Sequence, residues 1–232
     1  MPEHEPSSLL FATEVIHWIA LGVMVIVYTM RLRWLFSFKA GKDRSAPGQP
    51  DKISAKDGGV YSLGNVAMPW AMESTRGGRG FVFWVSFVLF HLGVVAGIGL
   101  AFVSTIFPGV LQIPAVAWVV GSTMFCAFLV AVYRFFRRLL RPVMRLISSP
   151  DDYFSLLMLI CWFALGVVTQ AHIAGVERFA SESWLIAYLL LTSFFLIYVP
   201  FSKISHYLYY PFSRWWIGKA LGHRGSYPYS RA

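Results

Sequence analysis

The sequence has few charged residues. Asp, Glu, Lys and Arg make up only 13% of its 232 residues, while hydrophobic residues make up 57%. That balance is far too apolar for a soluble domain of this length. The chain is therefore predicted to be a membrane protein.

Cysteine is also scarce, with two residues in the whole chain, Cys126 and Cys161. They lie in separate apolar segments, and neither belongs to a CxxC, a CxxCH or a zinc-ligand pattern. We interpret both as small core residues.

No segment alternates in polarity as the strands of a membrane barrel do, so the apolar stretches are predicted to be helices. Five of them are long enough to cross a hydrocarbon core of ~30 Å at ~1.5 Å per residue. The predicted fold is an all-α, integral membrane five-helix bundle, and its spans cover residues 9–30, 81–107, 110–133, 153–176 and 184–205.

Cations are nearly absent from one side of these spans. The link over residues 31–80, the link over residues 134–152 and the C-terminal region carry all but one of the Lys and Arg residues; the exception is Arg178. By the positive-inside rule the N-terminus is expected outside and the C-terminus in the cytoplasm. The formal charge of +9 is then explained by the topology and by attraction to anionic lipid headgroups, and it does not indicate binding to nucleic acid.

Residues 1–232 are predicted to form a single domain, a multi-pass protein of the cytoplasmic (inner) membrane. The opening MPEHEPSSLL lacks a positive n-region, so the first helix is expected to be retained. Residues 31–80 form a long cytoplasmic link, irregular over 38–70, and residues 206–232 form a cytoplasmic tail. The segment SSPDD, with Ser149 as cap, predicts a helix start.

Four arginines share one face where the third helix ends. Their spacing of i, i+3, i+4 and i+7 indicates either a solvated face bound to phospholipid or a docking surface for an acidic soluble subunit. The face consists of Arg134, Arg137, Arg138 and Arg141.

His91 lies at membrane depth in a segment with no other titratable side chain. Such a group is costly in hydrocarbon unless it has a partner. One interpretation is a neutral imidazole hydrogen-bonded to a neighbouring helix. The other is an axial haem ligand, paired with an imidazole from an opposed helix.

His206 lies in the stretch YVPFSKISHYLYYPF, just past the fifth span and toward the same side. Alone it would be an interfacial polar residue among tyrosines, but with His91 it completes a candidate haem-ligand pair. Lys203 could reach a haem propionate, or it could extend to lipid headgroups. Gly93 and Gly97 fall on other faces of the second helix and predict a close helix–helix contact.

The pieces FHLG, YRFFRRLLRPVMR, LLMLICWFALGVVTQ and above all VPFSKISH resemble the membrane cytochrome b subunit, the gamma subunit, of respiratory nitrate reductase. They also resemble its relatives in heterodisulfide-reductase-like and sulfite-reduction-associated complexes. The resemblance implies a b-type cytochrome that takes electrons from quinol and passes them to a cytoplasmic-side iron–sulfur subunit. It also implies that His91 and His206 ligate the cytoplasm-proximal haem b.

The sequence departs from the family pattern at the second haem. Ala101 and Tyr188 occupy the places where the family has its distal ligands, so a second haem b, if present, needs other ligands. His17 and His172, both predicted on the outer side, are the candidates. His172 could equally be an ordinary histidine beside a loop, and His17 a hydrogen-bonded polar residue or part of a quinol pocket.

The leading hypothesis is a quinone-reactive cytochrome b subunit with one haem, or two, that is not catalytic alone. Its substrate is the quinone or menaquinone pool, and Gln170, Glu177 and Tyr188 are candidate quinone-site groups. Its expected partner is an iron–sulfur subunit of the heterodisulfide-reductase-like type, favoured over the nitrate-reductase type by the stretch MPWAMESTRGGRGF. The alternative is a haem-free membrane anchor or small transporter with structural histidines.

Overall fold

The computed structural model describes residues 8–38, 55–67 and 77–222. Within these ranges the chain is helical and contains no strand. The α-helices are α1 (Ser8–Ser37), α2 (Ala55–Gly64), α3 (Gly78–Ile106), α4 (Pro108–Leu111), α5 (Pro114–Leu140), α6 (Pro142–Leu146), α7 (Pro150–Ile173), α8 (Ser183–Tyr198) and α9 (His206–Gly222).

Among the residues that the structure describes, five helices are long and apolar enough to cross a membrane, which confirms the predicted helical membrane fold. They are α1, α3, α5, α7 and the segment Ser183–Phe201, which continues α8 through a 3₁₀ turn. The direction in which the chain crosses the membrane stays a prediction.

The helices differ from the predicted spans at several ends: α1 continues to Ser37, α5 continues to Leu140, and the last span ends at Phe201. Two further differences have an identifiable local reason. The third span begins at Pro114, not at residue 110, because Pro108 and Pro114 each occupy the first turn of a helix and divide the segment in two. The fourth ends at Ile173, because Gly175 adopts a positive φ of 80° and the Val176 N–H bonds back to the Ala171 carbonyl. This pair of features is a glycine C-cap.

The chain, predicted as one domain, divides into two compact units. The first comprises Met1–Met30 and Val85–Lys203, and the second comprises Arg31–Trp84 and Ile204–Ala232. Each is described separately below, over the residues that the structure covers.

Small residues let the helices of the first unit approach closely. A Cβ on Gly97 would lie 2.5 Å from the Trp162 ring, and one on Gly93 would overlap Ala127. The predicted close contact at Gly93 and Gly97 is confirmed, since only a residue without a side chain fits there.

The predicted start of the fourth helix is confirmed. Asp152 accepts hydrogen bonds from the Ser149 backbone N–H at 2.8 Å and from the Ser149 hydroxyl at 2.9 Å. Pro150 occupies the first helical position. These contacts fix the first turn of α7 by the mechanism of a capping box.

The second unit corrects two predictions. Residues 55–64, expected to be irregular, form α2, and much of the expected tail forms α9. Glycines disfavour an isolated helix, but here they provide the contact: a Cβ on Gly59 would lie 2.8 Å from the Trp215 ring, and one on Gly218 would overlap the Gly58 carbonyl. Packing between helices therefore overrides local propensity.

Neither cysteine is fully buried. Cys126 is half-buried and Cys161 is exposed on α7. The prediction that both are small core residues is therefore wrong for Cys161. An exposed residue in the middle of an apolar helix faces the lipid, where a small weakly polar side chain is tolerated.

Candidate functional site

His91 lies near the middle of α3, and its ring is oriented by its own helix. The Nδ1 atom donates to the carbonyl oxygen of Phe87, one turn earlier, at 2.7 Å. The Phe87 ring lies 4.2 Å away, centroid to centroid, and the Phe90 ring 5.7 Å. A carbonyl can only accept, so Nδ1 carries the proton and Nε2 carries the lone pair. Histidines that ligate metals are held in this way.

The second unit contains His206 as the first residue of α9. Its side chain is exposed, and its ring lies 6.5 Å from that of Tyr207 in an edge-to-face arrangement. His91 and His206 thus belong to different units, and their pairing across one haem stays a prediction.

Lys203, predicted to reach a haem propionate, contacts the start of α7. Its ammonium group donates to the Ser149 hydroxyl at 2.7 Å and forms an ion pair with Asp152 at 3.0 Å. The side chain of Lys203 is 61% exposed. A propionate contact would therefore compete with this ion pair.

His17 is fully buried inside the first unit. Its Nδ1 lies 3.4 Å from the hydroxyl oxygen of Ser193 on α8. That hydroxyl already donates to the Leu189 carbonyl at 2.7 Å, so it can only accept from His17. The Nε2 atom of His17 is buried and finds no hydrogen-bond partner among the described residues, and the ring of Phe102 packs at 5.2 Å.

His172 lies in the last turn of α7. Its Nδ1 donates to the Phe179 carbonyl at 2.8 Å, which ties the loop after α7 to the helix end. The ring is half-buried. This is the environment of a structural histidine beside a loop, one of the two interpretations that the sequence leaves open.

The contacts of α8 do not bring His17 and His172 together. Thr169 on α7 donates to the Trp184 carbonyl on α8, so these two residues lie at the same height along the helix axes. His172 lies about one turn further toward the C-terminal end of α7. Ser193, the neighbour of His17, lies in the opposite direction along the antiparallel helix. At ~1.5 Å per residue the two histidines are about 18 Å apart along the helix axes. Two ligands of one haem must lie at nearly the same depth.

The three candidate quinone-site residues have different environments. Tyr188 is fully buried, and its hydroxyl donates to the Gly97 carbonyl at 2.5 Å. Glu177 begins an exposed 3₁₀ turn after α7. Gln170 is 2% exposed and is among the residues that line a cavity between α5 and α7.

Sequence reasoning missed the groups that orient the histidines. The Phe87 carbonyl is a backbone atom, so the side-chain pattern does not point to it. Ser193 is one of several serines in apolar segments, and its role follows from the meeting of α1 with α8. For Phe87 the available signal was the rule, known for short polar side chains, that a polar group within a helix can bond the carbonyl one turn back.

The comparisons with known proteins assign no function. No family model matches the sequence, and no solved structure matches it. A protein of Nitratidesulfovibrio vulgaris (strain Hildenborough) is 26% identical over 214 residues, which cover 90% of this chain and 88% of that relative. The relative bears the bare name "Protein", which states no activity.

Proposed function

We propose that this chain is the haem b-carrying membrane subunit of a respiratory oxidoreductase. It transfers electrons between the membrane quinone pool and an iron–sulfur subunit on the cytoplasmic side, and it is not catalytic alone. The observation that carries the proposal is the geometry of His91, an imidazole in a candidate span whose Nδ1–H is held by the Phe87 carbonyl at 2.7 Å.

The donor set at His91 fits a haem iron. A haem ligand must be a neutral imidazole with one nitrogen lone pair directed at the metal, and the bond to Phe87 selects that tautomer. The bond also raises the basicity of the ligating nitrogen. His206 is proposed as the second ligand, from the resemblance carried by VPFSKISH.

The proposal includes one haem b. His17 is fully buried against Ser193 and Phe102, so protein side chains already fill its surroundings. His172 has a local backbone partner. Neither environment supports a second shared haem.

The bound haem would supply one-electron transfer, and the residues of the chain would hold and tune it. The reduction potential of such a haem would be set by ligation by His91, by the hydrogen bond from His91 to the Phe87 carbonyl and by the apolar surface of α3. Phe87 and Phe90 flank the ring of His91, which limits its rotation.

A basic surface supports the proposed iron–sulfur partner, which we place in the heterodisulfide-reductase-like class. Arg141 and Arg145 are exposed in the link between α5 and α7. Arg134 instead lies 4.6 Å over the Phe90 ring, and Arg138 donates to the Ser148 hydroxyl at 2.8 Å. Arg141 is therefore the exposed member of the basic face, and Arg145 in α6 adds a second exposed cation for an acidic partner.

The test is the absorption spectrum of the purified protein, oxidised and then reduced. We expect reduced b-type α and Soret bands with one haem per chain. We expect His91→Ala and His206→Ala each to lose that haem, while the matched control His172→Ala retains it. The far-ultraviolet circular dichroism of each variant checks that the helices remain folded.

Full haem content in a folded His91→Ala or His206→Ala variant would refute the pairing. Absence of the bands from a fully assembled preparation would instead favour the haem-free anchor or transporter. A content of two haems per chain would contradict the proposal of one haem b.

A further inference from the structure

Arg134 places a cation within α5, a candidate membrane span. A cation in such a segment is costly unless it has a partner, and long basic side chains usually extend toward the lipid headgroups. The Arg134 guanidinium instead lies over the ring of Phe90 on α3, with its Cζ atom 4.6 Å from the ring centre. Phe90 is only 9% exposed. The guanidinium is therefore directed at a buried residue of the neighbouring helix.

The hydrogen-bonding capacity of this guanidinium is unused within the described part of the chain. Arg134 forms neither a side-chain hydrogen bond nor an ion pair with the residues that the structure describes, and a ring face leaves its N–H donors without an acceptor oxygen. The start of α7 lies beside the end of α5, but its acids are already engaged. Asp151 accepts from Tyr198, and Asp152 pairs with Lys203.

A ligand can reach the Arg134 guanidinium. The side chain is half-buried, and its nitrogens keep accessible surface, unlike the sealed polar atoms of His17 and Gln170. Arg137 and Arg138 lie within one turn of Arg134 on α5, and like charges at this spacing destabilise a helix. A bound anion would supply the missing acceptors and reduce this repulsion.

Phe90 connects Arg134 to the proposed haem ligand. The centre of the Phe90 ring lies 5.7 Å from the centre of the His91 ring. The guanidinium is therefore no further from the His91 ring than this distance and the contact with Phe90 combined. Haem b carries propionate carboxylates at the edge of its macrocycle, and a carboxylate held against protein needs a cation or hydrogen-bond donors.

We propose that Arg134 binds a propionate of the haem that His91 ligates. This inference rests on the proposed function and identifies the cation that holds its cofactor. A guanidinium is suited to this role because its planar N–H groups match both oxygens of a carboxylate. Lys203, the residue that the sequence suggested for this contact, already pairs with Asp152 at 3.0 Å.

The phosphate of a phospholipid is the competing anion, since its oxygens would also accept from a guanidinium. Headgroups can reach Arg141 and Arg145, which are exposed. Arg134 instead lies against a buried ring beside His91. This position favours the propionate, and the test distinguishes the two anions.

The test is a redox titration of the haem in the purified full chain, together with the propionate bending mode in its resonance Raman spectrum. A nearby cation stabilises the reduced haem, which carries one more negative charge than the oxidised haem. We expect Arg134→Gln to lower the ratio of reduced to oxidised haem about tenfold at a fixed electrode potential, a shift of about 59 mV for a one-electron couple. The propionate mode should also move.

Arg178→Gln is the matched control, the same substitution at an exposed arginine of the first unit beyond the far end of α7. It should leave both readouts unchanged. Arg134→Lys keeps the charge but loses the planar fork. It should retain the haem, keep the ratio of reduced to oxidised haem within about threefold of the unmodified chain and still move the propionate mode. This variant decides the matter if Arg134→Gln does not fold or loses its haem.

A potential and a propionate mode in Arg134→Gln equal to those of Arg178→Gln would overturn the proposal. So would a larger lowering of the potential in Lys203→Gln, or loss of haem from a folded Arg134→Lys variant. Release of bound phospholipid from Arg134→Gln, with both haem readouts unchanged, would assign the site to a headgroup and overturn it as well.

The haem content of the unmodified chain separates this inference from the proposed function. Absence of haem there refutes the proposed function itself. Intact haem whose potential and propionate mode do not respond to Arg134→Gln refutes the propionate contact alone.

Discussion

The indole N–H of Trp162 donates to the hydroxyl oxygen of Thr192 at 2.8 Å and so joins α7 to α8. The Thr192 hydroxyl in turn donates to the Tyr188 carbonyl at 2.7 Å. The Tyr188 ring stacks on Trp162 at 5.9 Å, and its hydroxyl donates to Gly97 on α3. Each polar group of this buried network has a partner, which is what makes such a network stabilising.

Thr192→Val should destabilise the protein because it leaves the buried Trp162 N–H without an acceptor. An unpaired buried donor costs ~1–3 kcal/mol, and the shape of the side chain is nearly unchanged. The measurement is reversible unfolding in mixed micelles, followed by circular dichroism. Trp118→Phe, at a 78% exposed position, should change the free energy of unfolding by less than ~0.5 kcal/mol. Equal effects of the two substitutions would show that the indole bond contributes nothing.

Gly97→Ala should lower the free energy of unfolding by ~1–3 kcal/mol, the usual cost of overpacking. The new methyl group would lie 2.5 Å from the Trp162 ring, which is held by its bond to Thr192. The control is Gly99→Ala on the same helix, where a Cβ meets nothing within 4 Å. It should leave stability unchanged or raise it by up to ~1 kcal/mol. A Gly97→Ala variant as stable as Gly99→Ala would contradict the close helix contact.

Asp152→Ala should cost more stability than Lys203→Ala, although the two side chains form one ion pair. Asp152 also accepts two hydrogen bonds from Ser149 at the start of α7, and losing a cap costs about 1 kcal/mol. The ion pair itself involves a lysine that is 61% exposed, and such pairs contribute ~0–1 kcal/mol. Unfolding of both variants in low and high salt tests this order. The reverse order would mean that the ion pair, not the cap, holds the helix start.

The His17→Leu variant should retain full haem content. Its free energy of unfolding should be unchanged or higher by up to ~1–3 kcal/mol. The substitution removes a buried nitrogen that has no partner among the described residues and leaves the Ser193 hydroxyl bonded to Leu189, so no new polar group is left unpaired. Haem assay and micelle unfolding are the two measurements. Loss of haem from a folded variant would assign His17 a ligand role.

Gly218→Ala should separate α2 from α9 in the second unit. A Cβ there would overlap the backbone carbonyl of Gly58, and backbone cannot move aside as a flexible side chain can. We expect faster amide hydrogen exchange in α2, read by mass spectrometry. Gly78→Ala, where a Cβ meets nothing within 4 Å, is the control and should leave that exchange unchanged.

Features that depend on length and polarity alone were predictable. Each span follows from an apolar run long enough for the bilayer, and the start of α7 follows from Ser149, Pro150 and Asp152 because capping is local. The small-residue contact at Gly93 and Gly97 also follows from one helix considered alone.

The sequence predicts which residue of the site can act as a ligand, but it does not predict the groups that hold that residue in place. The sequence indicates that His91 is a costly polar group at membrane depth, whereas the structure shows the Phe87 carbonyl that orients it. The glycines of α2 predict a loop. In the structure they form a helix instead, because Trp215 and Gly218 of a distant segment pack against them. Local propensity is weak enough for such packing to override it.

The sequence by itself determined a helical membrane protein, the number of its spans and the residues able to carry ligand chemistry, because hydrocarbon penalises unpaired backbone and charge wherever they occur along a chain. Only the tertiary structure decided that Tyr188 is sealed within a buried network, that His17 and His172 lie at different depths, and that Gln170 faces a cavity. These outcomes depend on how residues far apart in sequence pack, and no local pattern records that.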